Sequence, residues 1–121
     1  MATILIVDDD QSTQLLMRRM LSRLDVEVVG ATSCSDALRL ASDLVPDVIL
    51  MDILLPGSHE NGWAVAKTIR DDPRLKHIPI IIVSATNIIR NSTAGHQYEG
   101  YFQKPFQVRD LLDCIRSFVT D

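Results

Sequence analysis

Apolar positions in this chain fall into short unbroken runs that alternate with helical stripes. Thr3-Ile-Leu-Ile-Val7 opens the series and is followed at once by turn chemistry. Leu16, Met20 and Leu24 then recur every four residues, with Met17 and Leu21 beside them, which is the spacing of one helix face. Val26-Glu-Val-Val-Gly-Ala31 reads as a second strand. Ala37, Ala41, Leu44 and Val45 read as the face of a second helix. Asp47-Val-Ile-Leu-Met51 is a third run, ended by Asp52. Val65, Ala66 and Ile69 mark a third helix starting near Asn61-Gly62. Ile78-Pro-Ile-Ile-Ile-Val83 is the most apolar run and is rich in β-branched residues. Gly100-Tyr-Phe-Gln103 is a short fifth strand. Val108, Leu111, Leu112, Ile115, Phe118 and Val119 predict a last helix. Residues 87–98 offer only Ile88, Ile89 and Ala94 as useful apolar positions, so a fourth helix there should be short and poorly packed or mobile.

Five strands alternating with helices build a parallel sheet through right-handed crossovers. Continuously apolar strands fit a sheet covered on both faces. The expected fold is therefore α/β, a doubly wound (βα)5 arrangement. Of the two reasonable strand orders, the flavodoxin-like 2-1-3-4-5 is the commoner.

Composition narrows the class. The chain has 121 residues, enough for one domain, and is 46% apolar, too much for a disordered chain. Five βα units use all of 1–121, which predicts a single domain with no output domain, and Met1 directly before the first strand suggests a natural start. No apolar run reaches the roughly 18–20 residues of a membrane span. Ile4 to Val7 before three aspartates is no signal peptide. A cytoplasmic location is expected. The formal charge of −4 argues against non-specific nucleic-acid binding. Cys34 and Cys114 have no metal-ligand or disulfide-framework spacing and read as small core residues.

Ligands of open parallel sheets bind beyond the carboxyl ends of the strands. Asp8-Asp9-Asp10 follows the first strand, Asp52 the third, Ser84 ends the fourth, and Lys104-Pro105 follows the fifth. Each has an ordinary explanation alone. Asp10 suits a helix N-cap, Asp52 a turn, Ser84 a loop start and Lys104 a solvated side chain. Their coincidence at one edge favours chemistry. Clustered carboxylates need a cation, and hard oxygen ligands select Mg²⁺, with Mn²⁺ a possible substitute. Asp8, Asp9 and Asp52 with Mg²⁺ and Lys104 sum to zero charge, a setting that accepts a phosphoryl group on a nucleophilic Asp52. Ser84 is placed to hydrogen-bond a phosphoryl oxygen.

These pieces, Ile4-Leu-Ile-Val-Asp-Asp9, Val48-Ile-Leu-Met-Asp-Ile-Leu-Leu-Pro56, Ile81-Ile-Val-Ser-Ala85 and Gly100-Tyr-Phe-Gln-Lys-Pro-Phe106, resemble in order the receiver domain of bacterial two-component response regulators. The resemblance covers the full chain. It implies a phosphoacceptor at Asp52 and Mg²⁺ held by Asp8, Asp9, Asp52 and the backbone carbonyl of Leu54. It implies Ser84 as the hydroxyl switch residue, Lys104 as the phosphate-binding lysine, Tyr101 as the switch aromatic, and a cis bond before Pro105. A histidine kinase or histidine-phosphotransfer protein would be the donor. The face made by the fourth helix, fifth strand and fifth helix would bind a downstream protein, with no nucleic acid or membrane involved. The protein would be a monomer or weak dimer, a signalling switch that catalyses its own phosphorylation and dephosphorylation.

Two features depart from that pattern. The glycine usually found about eight positions past the acceptor is Gly62, ten past Asp52, so the loop is enlarged; its ordinary reading is a solvated surface loop, and the alternative is that His59 and Glu60 touch a partner or screen Asp52. Residues 94–100 also run longer than usual. Leu54 and Thr86 offer no side chain suited to orient an attacking water, which predicts slow self-dephosphorylation. Two rival functions remain at this point. One is a non-phosphorylated receiver-like adaptor. The other is a phosphatase with an aspartate nucleophile, which leaves Asp52 and Lys104 unexplained.

Overall fold

The structure, a computed structural model, describes residues 2–51, 62–84, 99–103 and 106–119. Its elements are β1 (Ala2–Val7), α1 (Gln11–Leu21), β2 (Val26–Ala31), α2 (Cys34–Leu44), β3 (Val48–Met51), α3 (Gly62–Asp71), β4 (Ile80–Ser84), β5 (Gly100–Gln103) and α4 (Val108–Val119). The five strands form one parallel sheet in the order β2-β1-β3-β4-β5. The flavodoxin-like expectation is met. The fourth helix expected over 87–98 and the enlarged loop at 56–62 lie largely or wholly outside the described residues, and α4 is the helix expected last.

Side-chain alternation along the strands feeds two cores. Leu5, Val7, Ile49, Met51, Ile80 and Ile82 join Ala37 and Ala41 of α2 and Val65, Ala66 and Ile69 of α3. Their neighbours Ile4, Ile6, Val48, Leu50, Ile81 and Val83 join Met17, Met20 and Leu21 of α1 and Leu111, Leu112 and Ile115 of α4. Burial on both faces explains why these strands are apolar at every position rather than at every second one.

The helix faces differ in part from the expectation. Leu16 is 59% exposed and Leu15 54%, whereas Met17, Met20 and Leu21 are buried. The α1 stripe is thus rotated by one position, and Leu24 lies beyond the helix end, packed against the second core. On α2, Ala37 and Ala41 face the core, but Leu44 and Val45 are exposed. The helix stops there: Val45 takes the left-handed conformation (φ 44°) and its N–H closes on the Ala41 carbonyl. Phe118, in the last turn of α4, is also exposed. Both cysteines are free; Cys34 is buried and Cys114 half-buried, as expected of small core residues.

Candidate functional site at the carboxyl edge of the sheet

β1 and β3 are paired to their ends, Val7 opposite Met51. Asp8 therefore leaves the sheet from an interior strand, next to the central β3, and the next residue after β3 in the chain is Asp52. β4 and β5 end together, Ser84 opposite Gln103, with Lys104 next in sequence. Asp52, Leu54 and Lys104 lie outside the described residues. Asp8, Asp9, Tyr101 and the strand position of Ser84 are described.

The turn after β1 is tightly tied. Asp8 is only 5% exposed. Its N–H donates to the Ala31 carbonyl at 3.0 Å, and its Oδ1 accepts from the Asp10 N–H at 2.9 Å. Asp10 is extended (φ −90°, ψ 112°) and caps α1, as the sequence suggested. Its Oδ1 accepts from the Ser12 N–H at 2.9 Å and its Oδ2 from the Thr13 hydroxyl at 3.0 Å. A capping carboxylate satisfies helix donors and meets the positive end of the helix dipole. The aspartate triplet divides accordingly: Asp10 is committed to the helix, while buried Asp8 and exposed Asp9 stand at the strand end.

That donor set fits a hard divalent cation. Carboxylate oxygens are the ligands such ions prefer. Two adjacent like charges, one of them buried, are costly until a cation offsets them. Among the described residues no group of three or more His, Cys, Asp or Glu converges. Asp8 and Asp9 supply two carboxylates, and the third expected from the sequence, Asp52, lies outside that set.

Tyr101 stands opposite Ile82 on β5, half-buried against the α2–α3 core, and so belongs to the sheet face rather than to solvent. Ser33 caps α2 by accepting from the Asp36 N–H at 3.2 Å. Gln14 was missed in the sequence. It is buried on α1, and its Nε2 donates to the carbonyls of Asp8 (2.7 Å) and Ala31 (2.8 Å). The legible signal was a polar residue in phase with the buried stripe of Met17 and Leu21, opposite a glycine inside β2.

A sequence model described as the response regulator receiver domain matches residues 4–116. The chain belongs to the response regulator receiver family. This receiver is 34% identical over 121 residues to the polar-differentiation response regulator DivK of Brucella ovis, covering 98% of the chain and 97% of the relative. Its fold matches the receiver domain of the sensor histidine kinase PA1611 of Pseudomonas aeruginosa, solved with a magnesium ion coordinated in its active site cleft. The TM-score is 0.84 at 27% identity, over 99% of this chain and 98% of that one. It also matches the response regulator TrrA of Thermotoga maritima, solved in complex with Mg²⁺-BeF. There the TM-score is 0.87 at 26% identity, over 98% and 100% of the two chains. Receivers of this family work in two-component signalling, between histidine kinases and downstream targets. Among the described residues no helix is long and apolar enough to cross a membrane.

Proposed function

We propose that this receiver accepts a phosphoryl group from a phosphohistidine onto Asp52 and thereby changes its protein contacts. The observation that carries the reading is the register Val7–Met51. It sets buried Asp8 at the end of β1, an interior strand, with the central strand β3 beside it and ending one residue short of Asp52. Asp8, Asp9, Asp52 and the Leu54 carbonyl would hold Mg²⁺, or Mn²⁺ in its place. The ion would neutralise charge on the phosphoryl oxygens. The Asp52 carboxylate attacks phosphorus, the P–N bond to the imidazole breaks, and the donor histidine leaves with that electron pair and takes up a proton. Lys104 balances the added charge.

Ser84 then hydrogen-bonds a phosphoryl oxygen, and Tyr101 changes its packing. That couples the acceptor to the surface near β5 and α4, where a target protein binds. Leu54 and Thr86 supply no group to orient water, so the phosphorylated form is long-lived. Support for transfer to this chain comes from the Mg²⁺ and Mg²⁺-BeF bound by two structurally similar receivers.

The test is treatment with acetyl phosphate or beryllofluoride plus Mg²⁺, read by intact mass and NMR, in wild type and Asp52→Asn. Wild type should gain one phosphoryl mass or an equivalent spectral change, and Asp52→Asn neither. No Mg²⁺-dependent response in wild type would favour the adaptor reading. An unchanged response in Asp52→Asn would move the acceptor elsewhere.

A further inference from the structure

Asp8 and Gln14 are the two buried polar side chains among the described residues, and they are joined. A buried carboxamide is costly unless its hydrogen bonds are made. Gln14 occupies the α1 stripe beside Met17 and Leu21, where an apolar residue would serve packing alone. Gly30 is equally unexpected, since a glycine inside a strand weakens it. The structure explains both by one contact.

The β1–β2 ladder ends at the pair Val7–Ala31. Beyond it, the Gln14 Nε2 bridges the carbonyls of Asp8 and Ala31, at 2.7 and 2.8 Å. The Asp8 N–H already holds the Ala31 carbonyl, so both backbone polar groups of Asp8 are fixed. Two carbonyl acceptors require the NH₂ on that side, which turns Oε1 toward Gly30. A Cβ on residue 30 would lie 2.0 Å from Oε1 and 2.9 Å from Cδ. Only glycine admits the amide there.

We propose that Gln14, admitted by Gly30, is a positioning residue for the cation site: it fixes the backbone from which the Asp8 and Asp9 carboxylates extend. This rests on the reading that those carboxylates hold Mg²⁺. Residues that act behind metal ligands typically change affinity by about 10–100-fold when altered.

The experiment is a Mg²⁺ titration without phosphoryl donor, followed through the amide NMR shifts of Asp8 and Asp9, beside urea unfolding of each variant. Gln14→Leu should bind Mg²⁺ about tenfold more weakly. Gly30→Ala should lose both affinity and stability. The double variant Gln14→Ala/Gly30→Ala removes the clash and should regain stability but not affinity. That split separates positioning from a structural role, and it stands even if Gln14→Leu fails to fold. Wild-type affinity in Gln14→Leu, or recovery of both properties in the double variant, overturns the proposal. Asp8→Asn serves as the control. If wild type binds no Mg²⁺, or Asp8→Asn binds it as well as wild type, the cation site itself is refuted and this proposal with it.

Discussion

The two ends of the sheet use the same residue types to opposite effect. At the amino edge, carboxylates are matched to donors within the fold. Glu99 exchanges backbone and side-chain hydrogen bonds with Ile80 and receives both oxygens' worth of contact from Arg70. The same guanidinium holds the carbonyls of Lys76 and Ile78, each at 2.7 Å, which ties α3, β4 and β5 together. Asp47 accepts from the Thr3 N–H at 2.7 Å and returns its own N–H to the Thr3 carbonyl, joining β1 to the start of β3. At the carboxyl edge, Asp8, Asp9 and Asp10 follow one another without a cationic side chain between them. Carboxylates at the first end hold strands in register. At the second they concentrate negative charge where a parallel sheet binds ligands. A carboxylate's role follows from which end of the strand it occupies and what it meets there.

Substitutions at the two ends should have opposite consequences. Asp8→Asn should abolish measurable Mg²⁺ binding while leaving urea stability unchanged or higher, because a buried like charge is removed; a large stability loss with intact binding would reverse the assignment of the two ends. Arg70→Met should do the opposite. It removes the guanidinium from two carbonyls and from Glu99, which keeps the Ile80 N–H, and costs about 2 kcal/mol by urea unfolding, with Mg²⁺ affinity retained. A smaller effect is expected at Val45, the non-glycine residue with positive φ among the described residues, which lies at the amino edge and not at the candidate site. A β-branched residue is strained there, so Val45→Asn should stabilise by about 0.5–1 kcal/mol, again without touching Mg²⁺ binding.

The smallest effect concerns Cys114, packed 3.3 Å from where a Cβ on Gly100 would stand. Burial raises its thiol above the ordinary range. The unfolded chain then releases the proton first. Stability is full at neutral pH and declines as pH climbs through the thiol range toward the raised folded value. Cys114→Ala should flatten the alkaline part of the stability curve relative to wild type, and identical slopes for the two proteins would count against this.

Much of the architecture was legible in the chain. Uniformly apolar strands, helices with one apolar face and short connections leave few ways to bury everything, and the parallel 2-1-3-4-5 sheet is one of them. Asp10 was readable as a cap because that role needs only its neighbours Ser12 and Thr13. Helix faces were less so: Leu16 and Met17 are interchangeable in a periodicity count, and only packing into the core shared with the sheet and α4 chose Met17. The residue types of the candidate site could be picked out because Asp8, Asp52 and Lys104 each follow a strand directly and Ser84 ends one. Gln14 could not, because its meaning lies in carbonyls six and seventeen residues away.

By itself, then, the sequence determined what depends on local spacing: the order of elements, the apolar runs, the cap, and which chemical groups fall after each strand. Tertiary structure decided what depends on contacts between distant segments. It chose the buried face of α1, paired Arg70 with Glu99, and brought the Gln14 amide to Asp8 through the space left by Gly30. Such contacts join residues distant in the chain, and no periodicity along the chain encodes a distance between two segments that only the packed sheet brings together.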